Sequence, residues 1–194
     1  IADEIRAGLA SGLAAANDDD NAELIAELSR AGLLDRPDLI ALLLRCADEE
    51  RIATAMKARA DSRHSRFLQA LVGDEDASVS AAAMALILAR GRRRDRFGQP
   101  SVEFDDVPKP TAVALVQTIA AAIRRRLVGS LSGEAADAQL TNASSVVIHR
   151  HDEGRRIDQV IGALVEALDV AGKLDETTLD ASAEEGDVAF LAQA

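Results

Sequence analysis

Apolar residues recur three and four positions apart along almost the whole chain, and this spacing commits it to amphipathic α-helices. The rows run Ile5, Leu9 and Leu13; Leu24, Ile25 and Leu28; Leu39, Ile40, Leu43 and Leu44; Ile52 and Met56; Phe67, Leu68, Leu71 and Val72; and Val79, Ala83, Leu86 and Ile87. Acidic runs that suit helix starts punctuate them: Asp18-Asp19-Asp20, Asp48-Glu49-Glu50 and Asp74-Glu75-Asp76. Pro37 fits the first turn of the third helix. Beyond residue 110, Val116, Ile119, Ile123 and Leu127 share a face, and Ile157, Val160, Ile161, Leu164, Val165 and Leu168 form the clearest stripe. A further helix or two is expected after Asp175. Val146-Val147-Ile148 has strand character and no evident pairing partner. Ala and Leu supply 39 and 23 of the 194 residues, with no Trp or Tyr and four Phe, a helical vocabulary.

About ten short helices joined by brief connectors predict an all-α fold of stacked antiparallel hairpins, a HEAT-like α-solenoid or α-α superhelix. An internal echo supports this. Ala31-Gly32-Leu33-Leu34-Asp35, Leu39, Asp48 and Ile52 correspond to Ala171-Gly172-Lys173-Leu174-Asp175, Leu179, Asp187 and Leu191. In such a unit Gly ends one helix, Asp caps the next and the spaced Leu faces the core. The pattern breaks from Arg90 to Pro110, where three prolines and Gly98 exclude helix interior. The expected organisation is an N-terminal helical-repeat region 1–91, an irregular connection 92–110 and a C-terminal helical region 111–194, or one continuous domain.

The longest uncharged stretch, Pro110 to Ile123, has 14 residues, short of the ~20 a membrane-spanning helix needs. The opening Ile-Ala-Asp-Glu lacks the basic start and apolar block of a secretory signal. Because the first residue is not Met and the segment from Gly186 to Ala194 reads as a helix cut short, the native chain is expected to extend further. The single Cys46 excludes an internal disulfide and a CxxC site, and a reducing, cytoplasmic setting fits best.

Net charge is −11, but it is segregated: −8 over residues 1–50, +6 over 51–130 and −9 over 131–194. The basic middle contains Arg90, Arg92, Arg93, Arg94 and Arg96, next to Phe97, and a second cluster, Arg124, Arg125 and Arg126. Guanidinium groups grip carboxylates and phosphates bidentately, so these residues form the candidate partner- or anion-binding set if the clusters converge. Asp95, Glu103, Asp105 and Asp106 are the nearby acids that could instead neutralise them. A protein partner with an acidic or phosphorylated segment fits best, with Phe97 and Phe104 as anchors; nucleic acid is the alternative, disfavoured because no Trp or Tyr is available to stack on bases.

No catalytic set emerges, and the chain reads as a non-enzyme. Cys46 lies in the apolar Leu42-Leu43-Leu44 stretch, and neither G-x-S-x-G nor a phosphate loop occurs. His149-Arg150-His151-Asp152-Glu153 is the one cluster with metal-ligand chemistry. On a helix His149 and His151 diverge, and His64 is remote in sequence, so no metal and no cofactor is implied.

Two stretches carry a resemblance. Asp74-Glu75-Asp76-Ala77-Ser78-Val79 through Ala83 looks like the second helix start of a HEAT-type repeat. Arg92 to Gly98, Asp105-Asp106-Val107-Pro108, Leu115-Val116 and Ile119 to Arg124, with Leu174-Asp175 to Leu191, resemble an uncharacterised family of bacterial proteins common in alphaproteobacteria. Gln117 and Thr118 stand where that family would have aromatic residues. The resemblance implies a helical-repeat fold in a bacterial cytoplasmic protein and carries no activity.

Overall fold

The computed structural model describes residues 1–7, 18–59, 67–127 and 133–194. They form ten α-helices: α1 Ala2–Ala7, α2 Asp18–Arg30, α3 Pro37–Arg59, α4 Phe67–Val72, α5 Ala77–Arg92, α6 Lys109–Leu127, α7 Gly133–Arg150, α8 Ile157–Val170, α9 Glu176–Glu184 and α10 Val188–Leu191. Short 3₁₀ turns cover Phe104–Asp106 and Glu153–Arg155. Among the described residues there is no strand, only an isolated bridge between Arg94 and Pro100. The fold is all-α.

Two local expectations are corrected. Val146-Val147-Ile148 lies inside α7, where Val147 continues a buried row of Ala136, Leu140 and Ala143 at helical spacing. The helices expected at Leu39 and at Ile52 are one. Nothing between Asp38 and Arg59 breaks a helix, and the acidic run lies along the helix surface, with Glu49 paired to Arg45 (3.5 Å) and Asp48 to Arg51 (3.1 Å). Leu9, Leu13 and His64 lie outside the described residues.

Helices group into two compact units, Ile1–Ala41 with Val107–Asp152, and Leu42–Asp106 with Glu153–Ala194. They do not follow the sequential division 1–91, 92–110 and 111–194, because helices from before and after the irregular stretch pair within each unit.

In the first unit α6 packs along α7, α2 lies on α6, and α1 contacts both α6 and α7. The α6 row Ala112, Val116, Ile119 and Ile123 and the α7 row Ala136, Leu140, Ala143 and Val147 are both buried at intervals of four, three and four. Those intervals give each helix one continuous seam. His151, buried just beyond α7, donates from Nε2 to the Val107 carbonyl (2.8 Å). Asp38, in the first turn of α3, accepts hydrogen bonds from Arg36 (3.1 and 3.3 Å), the Thr111 hydroxyl and the Leu39 N–H (3.0 Å). The Arg36 and Thr111 bonds hold its carboxyl down to about 2, against an ordinary value of 3.8. The folded state therefore binds fewer protons than the unfolded chain across that interval. The resulting stability is fully present above pH 3.8 and is lost as pH falls through about 2. Urea midpoints across that range should fall with acid in the native protein, and Asp38→Asn should flatten this dependence; an unchanged slope contradicts the assignment.

In the second unit α5 packs along α8 and forms a hairpin with α4, while α10 contacts α8 and α9. Val79, Ala83 and Leu86 of α5 meet Ile161, Leu164 and Leu168 of α8, and Phe67 meets Phe190 edge to face at 5.3 Å. Asp76 caps α5 through the Ser78 and Val79 amides, Asp175 caps α9 through Thr178, and Asp187 caps α10 through Phe190.

The internal echo is real at its turn. After α2 the Gly32 amide bonds to the Ser29 carbonyl (2.9 Å) and the Leu33 amide to Leu28 (3.0 Å). After α8, Gly172 bonds to Asp169 (2.9 Å) and Lys173 to Leu168 (2.8 Å). Both glycines are left-handed at φ +67°. This is the paired-bond helix stop that glycine permits. Leu39 and Leu179 both pack inward, and the correspondence ends at the later acid, since Asp187 caps a helix while Asp48 lies within one.

Candidate partner-binding surface

The arginine block begins in the last turn of α5 and continues into a tight loop of the second unit. Arg90 sends Nη2 to both carboxylate oxygens of Asp187 (2.7 and 2.6 Å). Arg93 makes a two-pronged pair with Asp106, Nε and Nη2 each at 2.6 Å, and donates Nη1 to the Ala89 carbonyl (2.8 Å). That last bond satisfies a carbonyl at the negative end of α5. The Asp106 side chain is only 5% exposed and Arg93 13%. A remaining oxygen lone pair of Asp106 accepts the Ile157 N–H (2.8 Å), so one carboxylate joins the end of α5 to the start of α8. Arg156, at the cap position of α8, makes no side-chain cap bond, and Asp106 does that work from 51 residues away. Arg94 pairs with Glu50 (2.7 and 3.3 Å) and also donates to the Gly98 carbonyl (2.8 Å).

Three of the five arginines are thus internal ties. Of the nearby acids, Asp106 takes Arg93 of the block. Asp105 faces Arg155 (3.6 Å), and Asp95 accepts the Phe97 and Gln99 amides (2.8 Å each). Those bonds, with Asp95 N–H to Gln99 O and Ser101 N–H to Arg93 O (2.9 Å each), pin the loop. At its tip Phe97 is 72% exposed, with the Arg96 guanidinium 4.7 Å above its ring. Arg92 is exposed and makes no ion pair among the described residues. Phe104 is partly buried in its 3₁₀ turn.

The second cluster belongs to the first unit. Arg124 pairs with Asp137, and Arg125 with Glu27 (2.5 Å), which also receives Arg30 (2.6 Å). Burial alone would raise the Glu27 carboxyl, but the hydrogen bonds from Arg125 and Arg30 outweigh it and hold it below the usual carboxylate range. The Arg126 side chain lies outside the described residues. Open grooves flank α6. One, of about 410 Å³, is lined by Glu27, Arg30, Gln117, Thr118 and Arg125; the other, of about 380 Å³, by Gln117, Arg124, Asp137, Thr141 and Ser145. Gln117 and Thr118, which stand at the positions of the expected aromatic residues, are groove walls.

His149 is exposed at the end of α7 with Nδ1 on the Ser145 carbonyl (2.7 Å), while His151 is buried on Val107. Among the described residues no group of three His, Cys, Asp or Glu is placed to hold a metal ion, and no helix is long and apolar enough to cross a membrane. Burial pushes the half-buried Cys46 thiol up, and the Glu49 carboxylate adds to the shift, which disfavours the reactive thiolate. No family model, curated protein or solved structure matches this chain.

Proposed function

We propose that this chain is a non-catalytic module of stacked, HEAT-like helical hairpins that binds an acidic or phosphorylated segment of another protein. The observation that carries the reading is the Arg96–Phe97 pair, a cation over an exposed aromatic ring at the tip of a loop pinned by Asp95 and Arg94. A rigid aromatic beside a guanidinium supplies apolar contact and anion recognition together, the combination enriched where binding energy concentrates. Because Arg90, Arg93 and Arg94 are engaged internally, the recognising charge narrows to Arg96, with Arg92 nearby in sequence. A cytoplasmic setting and the likeness to the alphaproteobacterial family go with this reading and supply no activity.

The test is an array of acidic and phosphorylated peptides probed with the native chain, Phe97→Ala and Arg96→Ala. Both side chains are exposed, so circular dichroism should be unchanged. Binding should weaken roughly tenfold for each variant and decline with added salt. Binding that survives both substitutions sinks the proposal, and retention of duplex DNA at low salt in place of peptides moves the reading to nucleic acid.

A further inference from the structure

The outer half of α5 departs from what a surface helix ordinarily presents. From Ala77 to Ala89 it carries no charge for 13 residues. Val79, Ala83, Leu86 and Ala89 are buried against the unit's core, yet Ala77, Ser78, Ala81, Met84, Ala85, Leu88, Gly91 and Arg92 are all exposed. Met84 is 43% and Leu88 57% exposed, one helical turn apart. A helix apolar on both sides implies a second covering surface.

The ends of this strip differ in sign. Of the acidic trio before the helix, Asp74 is paired with Lys173 and Asp76 is the helix cap, which leaves Glu75 exposed and without an ion pair among the described residues. At the other end Arg90 and Arg93 are engaged, which leaves Arg92. An apolar strip with an exposed acid at one end, in no ion pair among the described residues though within the field of Lys173, and an exposed base at the other is complementary to itself turned end for end.

We infer that α5 is the interface for a second copy of this chain, packed antiparallel about a two-fold axis between Met84 and Ala85. In that register Met84 faces Ala85 of the other copy, Leu88 faces Ala81, and Gly91 faces Ser78, so every large side chain meets a small one. Arg92 faces Ala77 and comes beside Glu75, and this pair occurs twice by symmetry. The 16-residue helix is about 24 Å long. A single helix pair of that length falls below the ~1,200 Å² of standard interfaces, so the dimer is a weak one in rapid exchange. Phe97 and Arg96 are not among the residues of this strip, and the inference does not depend on the proposed peptide binding.

Sedimentation velocity of the 194-residue chain from micromolar to submillimolar concentration is the test. The average mass should rise from 20.5 kDa towards twice that value. Leu88→Glu should stay monomeric throughout with an unchanged far-ultraviolet spectrum. Arg92→Glu and Glu75→Arg should each weaken association roughly tenfold, since two symmetry-related pairs are lost at once. The double exchange, Glu75→Arg with Arg92→Glu, should restore it, and Phe97→Ala should leave it unaltered. A chain monomeric at every concentration overturns the inference, as does a dimer indifferent to Leu88→Glu or a double exchange that fails to rescue.

Discussion

Asp106→Ala is expected to lower the stability of the second unit by about 3–5 kcal/mol, the range found when one member of a buried ion pair is removed. Its carboxylate answers three donors, Nε and Nη2 of Arg93 and the Ile157 amide. Alanine leaves the largely buried Arg93 guanidinium with only the Ala89 and Arg155 carbonyls (2.8 and 3.1 Å), and leaves the first amide of α8 without its acceptor. The damage reaches both stretches of the unit, because Arg93 and Asp106 belong to Leu42–Asp106 and Ile157 to Glu153–Ala194. Replacing both partners, Arg93→Met with Asp106→Leu, should cost less than the sum of the single changes, since no unpaired charge then stays behind. Urea unfolding followed by circular dichroism measures all of these. A loss below about 1 kcal/mol for Asp106→Ala, the worth of an exposed pair, contradicts the account.

This pair also shows where the sequence stops being legible. The helices could be read because two local signals coincide: apolar residues at three and four, and an acid just before them. Asp76 and Asp175 act as the caps that pattern implies. The α7 helix was obscure because its buried row is Ala136, Leu140, Ala143 and Val147 among Thr, Asn and Ser, too small in contrast for periodicity to reveal. The join of α3 was hidden by an acidic run that resembles a helix start and is instead a surface row. The arginine block is conspicuous in the sequence through its density, yet its role depends on Glu50 and Asp187, 44 and 97 residues from Arg94 and Arg90. No local pattern encodes such distances. Pairing of α5 with α8 and of α1 with α7 is of the same kind: each helix shows that it needs a partner, and none shows which.

The second large effect is expected at Gly186, where backbone strain and packing act together. Gly186 ends α9 with φ +70°, its amide on Ala183 and the next amide on Ser182 (3.0 Å each). Gly172 ends α8 with φ +67° and the same pair of bonds. The surroundings differ. A Cβ at Gly172 meets nothing within 4 Å, whereas one at Gly186 lies 2.8 Å from Met56 Cγ and 3.3 Å from the Ala53 Cα of α3. Alanine at Gly172 should therefore cost only the left-handed strain, about 1–2 kcal/mol, less the ~0.4–1 kcal/mol gained by restricting the unfolded chain. Alanine at Gly186 carries that same cost and forces Met56 and the α3 backbone to move, a further ~1–3 kcal/mol. The difference between the two variants in thermal or urea unfolding isolates the packing of α3 against this turn. Met56→Ala in the Gly186→Ala background should recover part of that difference but not all, because Ala53 Cα is main chain and cannot swing aside. Equal losses at Gly172 and Gly186 would mean that the turn, and not the helix packed on it, sets the cost.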